Sequence, residues 1–472
     1  MATDEPPALV AASTDHTPVS GASSDPDAVD PGRGWFSDSS LNQVRPSIGF
    51  DDVNYRYQRA YADLLSGARL RPRVLGVLVP TGILFALVMA YLAATLLWPI
   101  SAIPPTYQPK ALQNVAAPPA TFTWPEQGSA AVAVTGMPGA ASNSDRVSIA
   151  SITKVVTAML VLDRLPLQPG EQGPEYSFDA QDDREYRGYL YRGESALGVP
   201  VGGVLTEYQL LQGMLMGSAN NYAERLREEL WDSDAEFASA ARDWLTVHGI
   251  VDVRIVEPTG FDVDNTATAE GLLPLAQEAM ANPVFAEIVG TKEVELPGAG
   301  LVHNTNPLLE DPGVVGIKTG TLLTVNLLAG KDIAVTDGLT VRAYASVLGQ
   351  TSYQVRAEQA RSLFDQLAAQ LQLTEVVPAG TQVGTVDTVW GETAPVVTTA
   401  STELLLWNGA IGSASSAGEL NGFADDGTVI GAITVVGPSG TDTADIELAE
   451  AIDGPSPWWR LTHPLELFGL AA

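Results

Sequence analysis

Residues 1 to about 50 are built mainly from Ala, Ser, Asp and Pro with no apolar period. Such a stretch cannot bury enough apolar surface to repay ordering, and disorder is expected. Asp51 to Arg73 brings Tyr55, Tyr57, Tyr61, Leu64 and Leu65 to one broad face and reads as a short helix closing a tail over 1–73. The run from Val74 to Ile100 contains no charged residue. It exceeds the roughly 20 residues that cross a bilayer, so 74–100 is expected to be a transmembrane helix, with Pro80 tolerated near one end. Residues 101–125, with Pro104, Pro105, Pro109, Pro118 and Pro119, read as a stiff linker.

The pattern then becomes that of a folded domain over 126–373. Ala130–Thr135 reads as a buried strand, and Ser151–Leu165 as an apolar helix. Helical periodicity returns at Thr206–Leu230 and Ala235–His248. Strand-like runs follow at Gly313–Gly320, Asn326–Val335 and Leu339–Leu348. Tyr353–Leu373, with Leu363, Leu367 and Leu371 four apart, closes the region as an amphipathic helix. Helices set between an early strand and a late strand cluster predict an α/β layer fold with a mixed or antiparallel sheet. Beyond Thr374, short β-branched runs (Gln382–Trp390, Val396–Ala400, Thr428–Val436, Asp445–Leu448) predict a small all-β module over 374–472. Its last stretch, from Pro455, is expected to pack against that module, because Pro464 interrupts any long interfacial helix.

Composition narrows the chemistry. The 472 residues carry 25 basic and 56 acidic side chains, a net charge of -31. Nucleic acid is excluded as a partner, since phosphate binding needs a basic face. There is no cysteine, which removes disulfides, thiolate metal sites and a cysteine nucleophile. His16, His248, His303 and His463 are scattered, so no metal or other cofactor is expected. Arg69, Arg71 and Arg73 precede the apolar run, and the first basic residue after it is Lys110. The positive-inside rule therefore predicts a single-pass protein in the cell membrane, N-terminus cytoplasmic and the remainder extracytoplasmic.

Lysine is scarce: Lys110, Lys154, Lys292, Lys318 and Lys331 are the full set. Two fall in short motifs that carry chemistry. Ser151-Ile152-Thr153-Lys154 opens the apolar helix, where positions i and i+3 share a face. A desolvated lysine there can lose its proton and act as a base toward the serine. A capping serine is the plainer reading of Ser151 alone. Ser218-Ala219-Asn220 pairs a hydroxyl with an amide, able to pass a proton and orient a substrate, although such pairs are common in turns. Lys318-Thr319-Gly320 ends a strand and offers charge and hydroxyl to an anionic terminus beside a small residue. A lone edge lysine is otherwise a solvated charge.

Together, and in this order, the three motifs resemble those of the low-molecular-mass penicillin-binding proteins, the serine D-alanyl-D-alanine carboxypeptidases. The likeness extends to Glu257-Pro258-Thr259-Gly260-Phe261-Asp262 before Thr266-Ala267-Thr268-Ala269, and to Asn304-Thr305-Asn306-Pro307-Leu308-Leu309. It covers roughly residues 125 to 373. The chain departs from the family pattern at Asn221, where an aspartate is usual. It departs again in the acidic, Tyr-rich stretch Gln168–Val204, and in Thr321-Leu322-Leu323-Thr324-Val325, which lacks the usual glycine.

The resemblance implies a penicillin-binding-protein and serine β-lactamase-like transpeptidase fold, a sheet plus a helical subdomain with the site between them. It implies Ser151 as the acylated nucleophile, Lys154 as its base, and Ser218 with Asn220 as proton relay and substrate holder. Lys318 and Thr319 would bind the carboxylate of a peptidoglycan stem peptide ending in D-Ala-D-Ala, and the backbone N–H groups of Ser151 and Thr321 would form the oxyanion hole. β-Lactam antibiotics would be the second class of ligand. A DD-endopeptidase needs the same site. A β-lactamase reading lacks a Glu-x-x-Leu-Asn between the second and third motifs. A catalytically weak cell-wall-binding scaffold has no need of the Ser–Lys pair.

Overall fold

The computed structural model describes residues 73–470, so the tail expected over 1–73 lies outside the described residues but for Arg73. Among the described residues the chain divides after Phe85, and the part from Ala86 onward forms one compact unit. The apolar run forms one helix, Arg73–Leu96, and its stretch Gly76–Leu96 has a mean hydropathy of 2.2. It is the only described helix both long and apolar enough to cross a membrane. It ends four residues earlier than the sequence predicts, because Pro99 cannot supply a backbone N–H; Ile100–Ala102 continues only as a single 3₁₀ turn.

The domain that carries the motifs is built on a five-stranded antiparallel sheet. In spatial order its strands are Val314–Thr321, Val325–Thr336, Leu339–Gln350, Ser129–Val134 and Ala140–Ala141. Strand alternation divides their side chains between two cores. Ala131, Ala133, Leu328, Tyr344 and Leu348 face the helical part, with Thr153–Arg164 and Leu272–Ala281 among its helices. Ala130, Val132, Val134, Leu327, Ala329, Ala343, Ala345 and Val347 face the other way. They pack with Leu363, Phe364 and Leu367 of the helix Tyr353–Gln370, and this core continues into the C-terminal module. The fold is α/β, a sheet with a helical subdomain, followed by a β-rich module.

That module is a seven-stranded sheet ordered Thr106–Pro109, Gln382–Asp387, Thr393–Thr398, Gly440–Leu448, Val429–Gly437, Ile411–Gly418 and Val115–Ala116. Its two outermost strands come from the segment 101–125, which the sequence presents as a stiff linker. Proline is compatible with an edge strand, whose outward N–H needs no partner, and Pro109 closes such a strand against Gly384. The segment is pinned further where Gln366 and Gln370 bond the backbone of Thr123 and Thr121.

The C-terminal stretch forms two short helices, Pro457–Thr462 and Pro464–Leu467. Trp459 lies edge-on to Trp390 of the β-module, as the sequence predicts. The polar contacts go elsewhere: Arg460 donates to Leu96 O and Trp98 O, and Tyr91 Oη donates to Leu461 O. Arg460 thereby serves carbonyls that the end of the apolar helix leaves open.

Candidate active site

Ala150 adopts a left-handed φ of +49°. A residue with a Cβ holds that conformation only where its surroundings impose it. Two glycines allow the approach that does so. A Cβ on Gly320 would strike Ile149 O, and one on Gly260 would strike Ala150 O. The strand of the third motif and the loop after Glu257 therefore clamp the turn from both sides. The chain passes through a 3₁₀ turn, Ala150–Ile152, into the helix Thr153–Arg164, rather than starting an α-helix at Ser151.

Ser151 is half-buried at the head of this helix, and Lys154, one turn on, is fully buried. Lys154 Nζ donates to Ser151 Oγ at 3.0 Å, Asn220 Oδ1 at 2.7 Å and Thr259 O at 2.5 Å. Burial pulls its ammonium down from the ordinary 10.5 to about 7, against the opposing pull of Glu257, Glu194 and Glu224. A lysine held there is substantially neutral near pH 7, with a lone pair beside a serine hydroxyl.

The carbonyl that Lys154 meets comes from a loop organised by one side chain. Glu257 accepts from Thr259 N at 2.7 Å, Thr259 Oγ1 at 2.6 Å and Gly260 N at 2.6 Å, and also from Asn265 Nδ2. The Glu-Pro-Thr-Gly segment is thus a carboxylate-centred turn presenting Thr259 O inward.

The second motif falls where the sequence predicts one continuous helix. The structure breaks Thr206–Leu230 into Glu207–Leu215 and Asn220–Leu230, with Ser218 between them at φ +61°. One local and one distant bond hold the break: Ala219 N donates to Gly213 O at 3.2 Å, and Thr305 N to Met216 O at 3.0 Å. The kink presents Ser218 Oγ to the third motif and starts a helix at Asn220.

From the third motif, Lys318 Nζ donates to Ser218 Oγ at 3.1 Å. Lys318 is buried, and burial first, then Lys154 and Arg356, hold its ammonium well below the ordinary lysine range. Thr319 Oγ1 lies 2.7 Å from Thr305 Oγ1. Thr321 ends the strand, exposed, on the edge of the sheet.

Lys154 therefore meets both Ser151 and Asn220, Ser218 meets Lys318, and Thr319 meets Thr305; Thr321 stands at the rim. Sequence reasoning missed the roles of Thr259 O, Thr305 and Glu194. Glu194 is all but buried and accepts from Asn220 Nδ2 at 2.7 Å. It lies in the Gln168–Val204 stretch, where nothing distinguishes it from solvated acidic neighbours. That stretch contains a strand, Glu175–Ser177, paired with Val204–Thr206, and a helix, Ala180–Tyr191, capped by Asp179.

Comparison with known proteins bears on the same residues. Residues 135–349 match the Peptidase S11 family model, D-alanyl-D-alanine carboxypeptidase. A D-alanyl-D-alanine carboxypeptidase of Mycobacterium tuberculosis is 31% identical over 178 residues, covering 36% of this chain and 57% of that protein. A D-alanyl-D-alanine endopeptidase of Pseudomonas aeruginosa is 33% identical over 148 residues, covering 31% of this chain and 44% of that one. The chain thus spans about half the length of these curated relatives. Penicillin binding protein 5 from Haemophilus influenzae aligns over 70% of this chain and 99% of its own, at 17% identity and a TM-score of 0.47. The Streptomyces K15 DD-transpeptidase aligns over 52% and 100%, at 22% identity and a TM-score of 0.45. Residues 135–349, which hold all three motifs in order with the lysines of the first and third buried, match the D-alanyl-D-alanine carboxypeptidase family of serine peptidases.

Proposed function

We propose that this protein is a membrane-anchored serine D-Ala-D-Ala carboxypeptidase that trims peptidoglycan stem peptides through an acyl-serine intermediate. The observation that carries the reading is the buried Lys154 amine, 3.0 Å from Ser151 Oγ and held at about 7. A base of that strength near neutral pH is what a serine nucleophile requires.

In this reading Ser151 Oγ attacks the carbonyl carbon of the penultimate D-Ala while Lys154 takes the hydroxyl proton. The oxyanion is received by the backbone N–H groups of Ser151 and Thr321, each donor being worth about 3 kcal/mol. The C–N bond then breaks, and the proton held by Lys154 passes by way of the Ser218 hydroxyl to the leaving amine of the terminal D-Ala. Water attacks the ester, again losing its proton to Lys154, and Ser151 is regenerated. Asn220 holds the substrate amide, and Lys318 and Thr319 bind the terminal carboxylate. A local cation is needed there because residues 74 to 472 carry 46 acidic against 18 basic side chains, and the arriving carboxylate would itself raise the proton affinity that burial lowers in Lys318. β-Lactams would acylate Ser151 by the same attack. The apolar helix would anchor the protein with its N-terminus cytoplasmic and the site outside.

Labelling with a fluorescent penicillin, alongside D-Ala release from a pentapeptide, tests the reading. Stable labelling lost in Ser151→Ala, with D-Ala release, is expected. Folded wild-type protein that neither labels nor releases D-Ala would overturn it. A second reading, DD-endopeptidase, is favoured by relatives named as endopeptidases at 33% and 31% identity. Cleavage of a cross-linked dimeric peptide faster than the pentapeptide would select it.

A further inference from the structure

We propose that Glu194 is a positioning residue for acyl transfer, fixing which way the Asn220 amide faces and, through it, how the Lys154 amine is held toward Ser151. The inference rests on the acyl-serine reading above and adds to it a residue that none of the three motifs contains.

The argument begins with donors and acceptors. An ionised carboxylate only accepts hydrogen bonds and a lysine ammonium only donates, whereas a carboxamide does one at each end. Asn220 lies between the two: its Nδ2 donates to Glu194 at 2.7 Å and its Oδ1 accepts from Lys154 at 2.7 Å. Both contacts demand the same orientation. Turning the amide over would set Oδ1 against the carboxylate and Nδ2 against the lysine, losing both bonds at once. With Glu194 in place, the second Nδ2 hydrogen is free for a substrate carbonyl. Without it, only Lys154 would choose the orientation, and it does so weakly once it has lost its proton.

Glu194 is itself held in place. Asn220 N donates to Ser195 O at 2.8 Å, Asn221 bonds both N and O of Leu197, and Tyr222 Oη donates to Gly198 O at 2.7 Å. Residues 194–198 are thus stitched to the first turn of the helix Asn220–Leu230, whose positive pole favours a carboxylate nearby. On its other oxygen Glu194 accepts from Arg192 Nε at 2.6 Å, and Arg192 lies over the Tyr189 ring. The charged groups around Lys154 come from four elements: Glu257 in the turn before Asn265, Glu194, Glu224 on Asn220–Leu230, and Lys318 on the edge strand. Glu194 is one of three carboxylates that raise the affinity of Lys154 for its proton, so neutralising it should make Lys154 a weaker base.

The test uses full-length protein in detergent with Glu194→Gln, Glu194→Ala, Asn220→Ala and the double variant Glu194→Ala/Asn220→Ala. Gln keeps an acceptor for Asn220 and loses the charge; Ala loses both. In Glu194→Gln the rise of kcat/KM with pH should move to lower pH with little loss at its plateau. In Glu194→Ala it should move likewise and the plateau should fall on the order of tenfold to a hundredfold, the cost of misplacing a reacting group. The double variant should be no worse than Asn220→Ala alone, since Glu194 acts through Asn220. Selective lysine labelling reads the same effect without turnover, because five lysines give five ammonium titrations. The Lys154 titration should fall in Glu194→Gln, whatever substrate the protein takes. Wild-type protein that fails to acylate would defeat the functional reading alone. An unchanged Lys154 titration in Glu194→Gln, or additive losses in the double variant, would overturn the role of Glu194.

Discussion

The two faces of the central sheet are packed to opposite ends. On the helical face the apolar core reaches up to buried ionisable groups: Lys154, Lys318 and Glu207 are each at most 1% exposed. Burial pulls both lysines down and pushes the Glu207 carboxyl up to about 7. On the other face, Leu363, Phe364 and Leu367 meet Val132, Val347 and the β-module with no buried lysine or carboxylate among the described residues. The buried cation on that side, Arg356, lies in the first turn of its helix and donates to Asn326 O. Burying a charge costs several kcal/mol, so the apolar core of the first face offsets a penalty that the second face, Arg356 apart, does not carry. Both sides of the sheet are packed, but the chemistry lies on one and the other is given to packing alone.

Lys154→Met strains that division hardest. D-Ala release and penicillin acylation should fall about 10³-fold, within the range of a general base removed from a serine nucleophile. Stability should barely move. Three hydrogen bonds at about 1 kcal/mol each are lost, while a burial penalty of similar or larger size disappears. Urea unfolding should place the variant within about 2 kcal/mol of the wild type. A large loss of stability would mean that Lys154 is a structural cation and would blur the contrast.

Phe364→Ala is the mirror experiment. Phe364 is 2% exposed in the core of the second face. Its truncation should cost about 3–5 kcal/mol, while kcat/KM per folded molecule stays within about twofold. An equal loss in both quantities would show that the faces are coupled.

How much of this was legible depends on how local each cause is. The Ser–Lys spacing and the strand ending in Lys318-Thr319-Gly320 are properties of a few consecutive residues, and the sequence displays them. The break at Gly217-Ser218-Ala219 is invisible because helical periodicity continues on both sides. One of the two bonds that hold it arrives from Thr305, far along the chain. Glu194 leaves no mark for the same reason: an acidic residue among acidic residues reads as solvated until its partner, Asn220, is folded against it. The strands within 101–125 are short and proline-flanked, and only their distant partners Gln382–Asp387 and Ile411–Gly418 make them strands.

The lowered lysines also tie stability to pH. Lys154 holds its proton up to 10.5 when unfolded but only to about 7 when folded, so between these values the unfolded chain binds more protons. Stability should therefore rise with pH across that window. Lys318 acts in the same direction. Tyr176 and Tyr208, pushed up by burial to about 12, act in the opposite sense but only once unfolded tyrosine titrates near 10. Urea unfolding at pH 7.5 and 9 (about the usable span) should show the wild type gaining stability and Lys154→Met gaining less. Equal gains would remove Lys154 from the account, whereas Phe364→Ala should keep the wild-type slope at a lower level.

The gentlest probe is Asn221→Asp, which exchanges the amide for the carboxylate that the motif resemblance leads one to expect. Asn221 Nδ2 donates to Leu197 O at 2.8 Å while its Oδ1 accepts from Leu197 N at 3.1 Å, a two-way bond that uses both ends of the amide. A carboxylate can keep only the second, and its other oxygen would face a carbonyl. The loss should be about 1–2 kcal/mol, concentrated in residues 194–198 rather than spread over the domain. Hydrogen exchange should report faster opening at Leu197, with amides of the second core unchanged. Because this segment carries Glu194, kcat/KM should drop about two- to fivefold. Unchanged exchange at Leu197 would mean that the substitution is absorbed locally and that the 194–198 wall is held by Tyr222 and Asn220 alone.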